Sequence, residues 1–203
     1  MAGADLAATA ANLSYLTHHP SAAAAGNSLQ HLATSAYTLT PAVLFHLHSP
    51  PQAKDPRRHI RLTAITATFL LPSLAALSPS GSHLAHIPAT ANWAALLLAT
   101  SATTYGTYSL LHLNTNFSLS PETRHITTSG PYRHIRHPLY LAEIVAAAAV
   151  AIGSLEPTLI VGAAALTALQ ILRIHAEEQL LSTQPAYQQL QTAVAHRLIP
   201  GIW

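Results

Sequence analysis

Long stretches without ionised side chains constrain this chain more than any other feature. No Asp, Glu, Lys or Arg lies between Asp5 and Lys54, and none lies between Arg61 and Glu122. Charged residues make up 8% of the 203-residue chain, against about 25% in a typical soluble protein. Because the hydrocarbon core of a bilayer excludes unpaired charges, this pattern indicates a membrane protein. A soluble, Ala-rich helical bundle is the alternative, and the length of the uncharged stretches argues against it.

A helix needs about 20 mostly apolar residues to cross a bilayer, and five segments of this chain qualify. The predicted spans cover about residues 29–47, 60–77, 91–113, 138–153 and 157–172. The last of them is expected to continue as a helix to about Leu181. The predicted fold is therefore an all-α, polytopic membrane protein with about five transmembrane helices. Residues 1–28 are interpreted as an N-terminal segment, either an interfacial helix or part of another span.

The positive charges test this assignment of spans. With five spans, all nine Lys and Arg residues fall on one side of the membrane: Lys54, Arg57, Arg58, Arg61, Arg124, Arg133, Arg136, Arg173 and Arg197. Basic loops face the cytoplasm as a rule, so we expect the basic loops and the C-terminus there and the N-terminus outside. The chain has no cysteine, which excludes disulfides and a thiol nucleophile. Its net charge of +2 gives no indication of a nucleic-acid partner.

Two polar stretches contain most of the residues that could carry chemistry. One covers residues 116–140 and the other covers residues 173–203. The fourth and fifth predicted spans form a hairpin between them, so we expect both stretches to meet at one membrane surface. The helix that opens at Pro138 offers backbone N–H groups to an anion. Tyr132 and Tyr140 offer aromatic faces to an adenine or a sulfonium cation. Taken singly, such residues also occur as ordinary anchors at the ends of spans.

Arg173 and Glu177 lie four residues apart on one face of the predicted fifth helix. As a surface ion pair they would contribute only about 0.3–0.5 kcal/mol. In the functional interpretation, Glu177 neutralises the amino group of a bound cofactor and Arg173 holds an anionic group of a substrate. Glu178 points to a neighbouring face and is given a supporting role.

The motifs of this region together resemble a known family. The run GPYRHIRHPLY is followed by R-x-x-x-E-E, then by Pro-Ala-Tyr and RLIPGIW. This order resembles the isoprenylcysteine carboxyl methyltransferase family and the related phospholipid N-methyltransferases. The resemblance covers about residues 114–203 and implies that these residues form a methyltransferase region, including a helical hairpin over 138–181. It further implies a multi-spanning helical protein that binds S-adenosylmethionine at the cytosolic face of the membrane.

The resemblance also implies roles for individual residues. Arg173 matches the arginine on the substrate side, which makes it the candidate catalytic residue. The candidate cofactor contacts are Ile126, Thr127, Tyr132, His137, Pro138, Leu139, Tyr140, Glu177 and, in the supporting role, Glu178. The chain departs from the family pattern at Ala142, where Gly is usual. The segment between Glu178 and Tyr187 is shorter than in the eukaryotic enzymes and lacks their Phe-Gly.

The implied reaction is methylation of a lipid-like or prenylated acceptor. The favoured acceptor is the carboxylate of an isoprenylcysteine. The alternative is a phospholipid or another amine, which would need a base such as His137 or Glu178 to remove its proton. An NADPH-dependent, sterol-type membrane reductase and a non-catalytic membrane scaffold are further alternatives. A metal-handling protein is the last alternative, suggested by 14 histidines that include His18-His19 and the pair of His46 and His48. We expect membrane lipids as partners, and we expect neither a metal site nor a nucleic-acid partner.

Overall fold

The computed structural model of the chain describes residues 53–54, 62, 66, 70, 89–113, 122–123 and 126–203. Residues 1–28 and the predicted first span over 29–47 lie outside the described residues, and so do His18, His19, His46 and His48. Of the predicted second span, the structure describes Leu62, Thr66 and Leu70, which are all helical. The rest of that span lies outside the described residues.

The described residues form four α-helices and one short 3₁₀ helix. Helix α1 covers Ala89–Leu113, the 3₁₀ helix covers Gly130–Arg133, α2 covers Pro138–Ser154, α3 covers Pro157–Leu181 and α4 covers Pro185–Ala193. The only strands in the described ranges are β1 at Ala53–Lys54 and β2 at Glu122–Thr123, which pair antiparallel over two residues each. The part of the chain that the structure describes is therefore essentially all helical, as predicted.

Three of these helices begin at a proline. Pro138, Pro157 and Pro185 stand at the first helical positions of α2, α3 and α4. A proline costs little there, because the missing N–H would have no partner within the helix and the fixed φ suits the first turn. The sequence analysis expected helices to open at Pro138 and Pro157.

Only one helix of the described ranges is both long and apolar enough to cross a membrane. It is α3, with 25 residues, whereas α2 is apolar but has only 17 residues. The predicted third span coincides with α1, which has 25 residues but many Thr and Ser. The described residues therefore support a membrane helix and do not confirm the count of five spans.

Several hydroxyl groups of α1 are satisfied by the helix itself. Thr100, Thr103 and Thr107 each donate a hydrogen bond to the carbonyl oxygen four residues earlier, at 2.8, 2.9 and 3.0 Å. Ser109, which is fully buried, donates in the same way to the carbonyl oxygen of Tyr105. Side chains bonded in this way present few unpaired polar groups to their surroundings. A helix rich in Thr can therefore pack against apolar neighbours.

The three long helices pack as an antiparallel set. A Cβ atom added to Gly153, at the end of α2, would lie 3.0 Å from the Cβ of Ala95, near the start of α1. At the opposite end, Leu139 of α2 packs against Leu110 of α1. Between α2 and α3 the core consists mainly of alanines, which permit close contact of the helices. The end of α1, the start of α2 and the end of α3 therefore lie at the same end of the set.

The connection between α2 and α3 consists of Leu155 and Glu156. Leu155 adopts the left-handed conformation, with φ of 45°, and its N–H donates to the carbonyl oxygen of Ala151. The buried carboxylate of Glu156 accepts a hydrogen bond from the N–H of Leu159 at 3.0 Å and another from the hydroxyl of Thr158. Glu156 thereby caps α3 and counters the positive end of its dipole. This tight turn fixes α2 and α3 as a hairpin.

Gly130 begins the 3₁₀ helix at a point where no other residue fits. Its φ is +58°, and a Cβ atom there would lie 2.2 Å from Cδ2 of His112. The His112 ring is itself held by a hydrogen bond between Nδ1 and the carbonyl oxygen of Tyr108 at 2.9 Å. Gly130 therefore allows the loop before α2 to lie directly on the end of α1.

We predict that Gly130→Ala destabilises the protein more than Gly201→Ala. Both glycines have positive φ, but Gly201, with φ of +81°, has open space where a Cβ would be added. The left-handed conformation costs an alanine about 1–2 kcal/mol, and only Gly130→Ala adds a steric clash. Thermal unfolding of the purified variants in detergent measures the difference. Equal losses would contradict the close contact with His112.

Candidate functional site

The two polar stretches that the sequence analysis singled out meet in the structure. The hydroxyl of Tyr140, in the first turn of α2, donates a hydrogen bond of 2.7 Å to Oε2 of Glu177 near the end of α3. The ring of His137 stacks on the ring of Tyr140, with centroids 5.5 Å apart. The antiparallel packing of α2 and α3 brings these residues together, although almost 40 residues separate them in sequence.

The C-terminal tail, which we define as residues 194–203, pairs with the segment that leads into α2. The N–H groups of Arg136 and His137 donate to the carbonyl oxygens of His196 and Arg197, at 3.0 and 2.9 Å. These two N–H groups are therefore not available to a ligand at the start of α2. Of the first N–H groups in α2, those of Leu139 and Tyr140 have no acceptor among the described residues.

Glu178 is the centre of a buried polar cluster. Its Oε1 accepts from Nε of Arg136 at 2.9 Å and from the hydroxyl of Tyr187 at 3.3 Å, and it lies 3.3 Å from Nε2 of His137. Its Oε2 accepts from Nε of Arg197 at 2.7 Å. Glu178 is only 6% exposed. Two guanidinium groups at hydrogen-bond distance strongly favour the ionised carboxylate.

Arg136 adds further bonds to this cluster, because its NH1 donates to the carbonyl oxygens of Val194 and Ala195 at 2.6 and 2.9 Å. Burial raises the pKa of the Tyr187 phenol, and the negative charge of Glu178 raises it further. Tyr187 therefore stays protonated and donates to Glu178. The cluster connects α3, α4, the segment before α2 and the C-terminal tail.

Tyr132 carries a buried hydroxyl that has no hydrogen-bond partner among the described residues. The residue is 7% exposed. Burial raises the pKa of the Tyr132 phenol well above its usual range, and the nearby negative charge of Glu177 acts in the same direction. The phenol is therefore a donor at neutral pH. Because a buried polar group without a partner costs free energy, such a group is a candidate for contact with a ligand.

Arg173 is buried between α2 and α3 rather than exposed as a surface ion pair, since only 4% of it is accessible. Its guanidinium carbon lies 4.8 Å from the centroid of the Tyr140 ring. Its NH1 donates to Oε1 of Gln170 at 3.1 Å and lies 4.0 Å from Oε2 of Glu143. Glu177, which the alternative of a surface ion pair would place against Arg173, accepts from Tyr140.

The remaining residues that were predicted to contact the cofactor lie around Tyr140 and Glu177, and they pack on different neighbours. Ile126 packs on the apolar cluster formed by the end of α3 and by α4. Thr127 is half-buried and Pro138 is fully buried in the first turn of α2. Leu139 faces α1, where it packs against Leu110. The structure therefore brings five of the predicted residues close together: Tyr132, His137, Tyr140, Arg173 and Glu177. Ile126 packs instead on α4 and the end of α3, and Leu139 packs on α1.

Sequence reasoning did not single out five polar residues of this region as site residues: Arg136, Glu143, Gln170, Tyr187 and Arg197. Three of them lie within motifs that the analysis quoted. Pairing across about 20 to 60 residues depends on the tertiary structure. Among the described residues, no group of three His, Asp or Glu side chains could hold a metal ion.

A sequence model described as the isoprenylcysteine carboxyl methyltransferase (ICMT) family matches residues 93–183. The matched segment includes most of α1, the loop before α2 and the hairpin with Glu178, whereas Tyr187 and Arg197 of the Glu178 cluster lie beyond it. No individual curated protein matches the chain.

We predict that Glu178→Gln strongly destabilises the protein. The substitution leaves the buried Arg136 without its counter-charge, and breaking a buried ion pair in this way costs about 3–5 kcal/mol. The matched control is Glu177→Gln, because Glu177 is half-buried and its bond to Tyr140 contributes about 1 kcal/mol. Thermal and urea unfolding in detergent measure both variants. A loss at Glu178 no larger than the loss at Glu177 would show that the cluster does not hold the fold.

Proposed function

Residues 93–183 belong to the isoprenylcysteine carboxyl methyltransferase family, and from this premise we propose that the chain transfers a methyl group from S-adenosylmethionine to the carboxylate of an isoprenylcysteine-type acceptor. Family membership supports a methyltransferase. The observation that carries the finer proposal is the contact between Tyr140 and Glu177, with Arg173 over the same tyrosine ring. These contacts support the proposal because they bring a carboxylate, which could bind the cationic cofactor, close to an arginine, which could bind the anionic acceptor.

The residues of the site suit S-adenosylmethionine in charge and in hydrogen bonding. Glu177 is half-buried, and one of its carboxylate oxygens accepts no hydrogen bond from any described residue, so it can neutralise an amino group. The buried hydroxyl of Tyr132 can donate to a carboxylate. The N–H groups of Leu139 and Tyr140 are further donors at the positive end of α2. When bound, the cofactor supplies an electrophilic methyl group on a sulfonium.

The acceptor side of the proposal depends on Arg173. A carboxylate is ionised at neutral pH and needs no general base, so the protein has only to hold it in line with the methyl group. Correct placement of two reactants can lower a barrier by about 7–11 kcal/mol. Arg173 keeps its charge at any relevant pH and can orient the carboxylate through its planar N–H groups.

An amine acceptor is the second candidate, and the structure argues against Glu178 as the base that it would need. Such an acceptor needs a base, and the sequence analysis named His137 and Glu178. Glu178 is already bonded to two arginines, which stabilise its ionised form and make it a weak base. His137 lies against that same carboxylate at 3.3 Å. We therefore assign Glu178 an indirect role, in which it holds the segment that carries His137 and Tyr140.

The family and the apolar helix α3 support a membrane location. We propose that the end of the helices where α2 begins faces the cytoplasm, because Arg133, Arg136, Arg173 and Arg197 all lie at this end. The water-soluble cofactor would then enter from the cytosol. The prenyl tail of the acceptor would enter from the bilayer.

Methyl transfer in membranes tests the proposed reaction. Membranes that contain the protein are incubated with methyl-labelled S-adenosylmethionine and either a prenylated cysteine acid or phosphatidylethanolamine. We expect label in the prenylcysteine product, released as methanol by mild base because a methyl ester is formed. Glu177→Gln should fold but bind S-adenosylhomocysteine at least about tenfold more weakly, since it loses a charge-assisted contact. Base-stable label in the phospholipid would support N-methylation, and unchanged affinity of Glu177→Gln would refute its role.

Tyr132→Phe separates a binding role from a structural one. The Tyr132 hydroxyl has no partner in the described part of the chain, so its removal should leave the thermal stability of the ligand-free protein unchanged or slightly higher. Affinity for S-adenosylhomocysteine should fall by about fivefold to tenfold, the value of one hydrogen bond of about 1 kcal/mol. Tyr108→Phe is the matched control, because Tyr108 is 46% exposed on α1. A loss of stability without a loss of affinity would contradict the proposal.

A further inference from the structure

A chain of polar contacts joins α2 to Arg173, the residue that the proposed function assigns to the acceptor. Glu143 lies on α2, and Gln170 and Arg173 lie on α3. The side-chain amide of Gln170 donates through Nε2 to Oε2 of Glu143 and accepts through Oε1 from NH1 of Arg173 at 3.1 Å. Gln170 is 1% exposed and Arg173 is 4% exposed. Burying polar groups between apolar helix faces costs free energy, so the presence of this bridge calls for an explanation.

The bridge fixes the orientation of Arg173. An amide has a donor end and an acceptor end, so the bond to the Glu143 carboxylate forces the oxygen of Gln170 to face the guanidinium. The ring of Tyr140, at 4.8 Å, restricts the guanidinium further. Arg173 thus has two fixed neighbours that limit its rotamers. A fixed arginine loses less entropy when it binds an anion.

Glu143 has a second, opposite effect on Arg173. Its carboxylate lies 4.0 Å from NH1 of Arg173, and its side chain is only 24% exposed. At this distance, in surroundings less polar than water, two opposite charges attract strongly. An anionic group of a substrate must therefore compete with Glu143 for the same positive charge.

We propose that Gln170 and Glu143 are positioning residues that set how Arg173 binds an anionic acceptor, and this inference rests on the proposed function. Gln170 strengthens acceptor binding because it aims the guanidinium. Glu143 weakens acceptor binding because it competes for the charge of Arg173. The two effects together hold a carboxylate in place without binding it so tightly that its oxygen is less reactive.

Equilibrium binding to the purified protein in nanodiscs tests the inference with N-acetyl S-farnesylcysteine and its uncharged carboxamide as probes. Glu143→Gln keeps an acceptor for the amide of Gln170 but removes the charge, so the Kd of the acid should fall by about fivefold, equivalent to about 1 kcal/mol. Gln170→Leu removes the bridge, so the Kd of the acid should rise by about fivefold. Neither variant should change the Kd of the carboxamide by more than about twofold.

Thr167→Val is the matched control, because Thr167 lies one turn earlier on α3 and its hydroxyl bonds only the carbonyl oxygen of Ala163. It should change neither Kd. Opposite shifts of the acid alone in the two variants support the inference. Equal shifts of acid and carboxamide, or an unchanged Kd of the acid in Glu143→Gln, overturn it. Because Glu143→Gln keeps the bridge, it decides the outcome even if Gln170→Leu does not fold.

Methyl transfer by the wild-type protein separates this inference from the proposed function. Transfer to the acid together with unchanged Kd values in both variants overturns the positioning role and leaves the proposed function intact. The predicted Kd shifts without any methyl transfer overturn the reaction and support Arg173 as a tuned site for an anionic lipid-like molecule.

Discussion

The ion-pair cluster around Glu178 is the interaction on which the rest of the site depends. One buried carboxylate binds Arg136 from the segment before α2, Tyr187 from α4 and Arg197 from the C-terminal tail. Removing charges from water is costly, and the cost is recovered only when each charge is paired and hydrogen-bonded. Here each carboxylate oxygen has at least one arginine partner. The cluster therefore allows only one arrangement of these four parts of the chain at low free energy.

The neighbouring acidic residue can then serve a different purpose. Successive residues of a helix point about 100° apart, so Glu177 and Glu178 face different surroundings although they are adjacent. Glu178 faces the buried cluster, and Glu177 faces Tyr140 and is half-buried. Because Glu178 and the paired tail hold the segment before α2, His137 and Tyr140 are fixed beside Glu177. The scaffold and the proposed binding group thus occupy adjacent positions of one helix.

The apolar part of the structure makes this arrangement possible by bringing the helices close together. Alanines at Ala147, Ala151 and Ala163 form much of the contact between α2 and α3, and Gly153 lies against Ala95 of α1. Small residues permit close packing of helix backbones. The polar side chains of Glu143, Gln170 and Arg173 then bridge from one helix to the other within this interface. Polar groups in such surroundings need partners, and the bridge supplies them.

Much of the fold was predictable from local features of the sequence. Long apolar stretches predicted helices, and prolines marked where α2 and α3 begin. The hairpin follows from the short connection between them. The count of spans is not confirmed, because counting spans depends on how apolar each helix is. Thr-rich α1 does not meet the criterion that α3 meets. It fails even though hydroxyls such as those of Thr100 and Thr103 are bonded within the helix. Amino-acid composition alone does not show whether a hydroxyl is already hydrogen-bonded within its own helix.

The sequence by itself determined the set of residues that we propose to carry the chemistry, because their order and spacing resemble the motif of the matching family: Tyr132, His137, Tyr140, Arg173 and Glu177. Only the tertiary structure decided which of them contact each other. Spacing along the helix allowed a surface ion pair between Arg173 and Glu177. In the structure, the packing of α2 on α3 brings Glu143 within 4.0 Å of Arg173 and the hydroxyl of Tyr140 to Glu177, while Gln170, on the same helix as Arg173, bridges Glu143 and Arg173. The physical reason is that a buried charge takes the partner that the neighbouring helix brings within hydrogen-bond distance, and the linear sequence does not encode that distance.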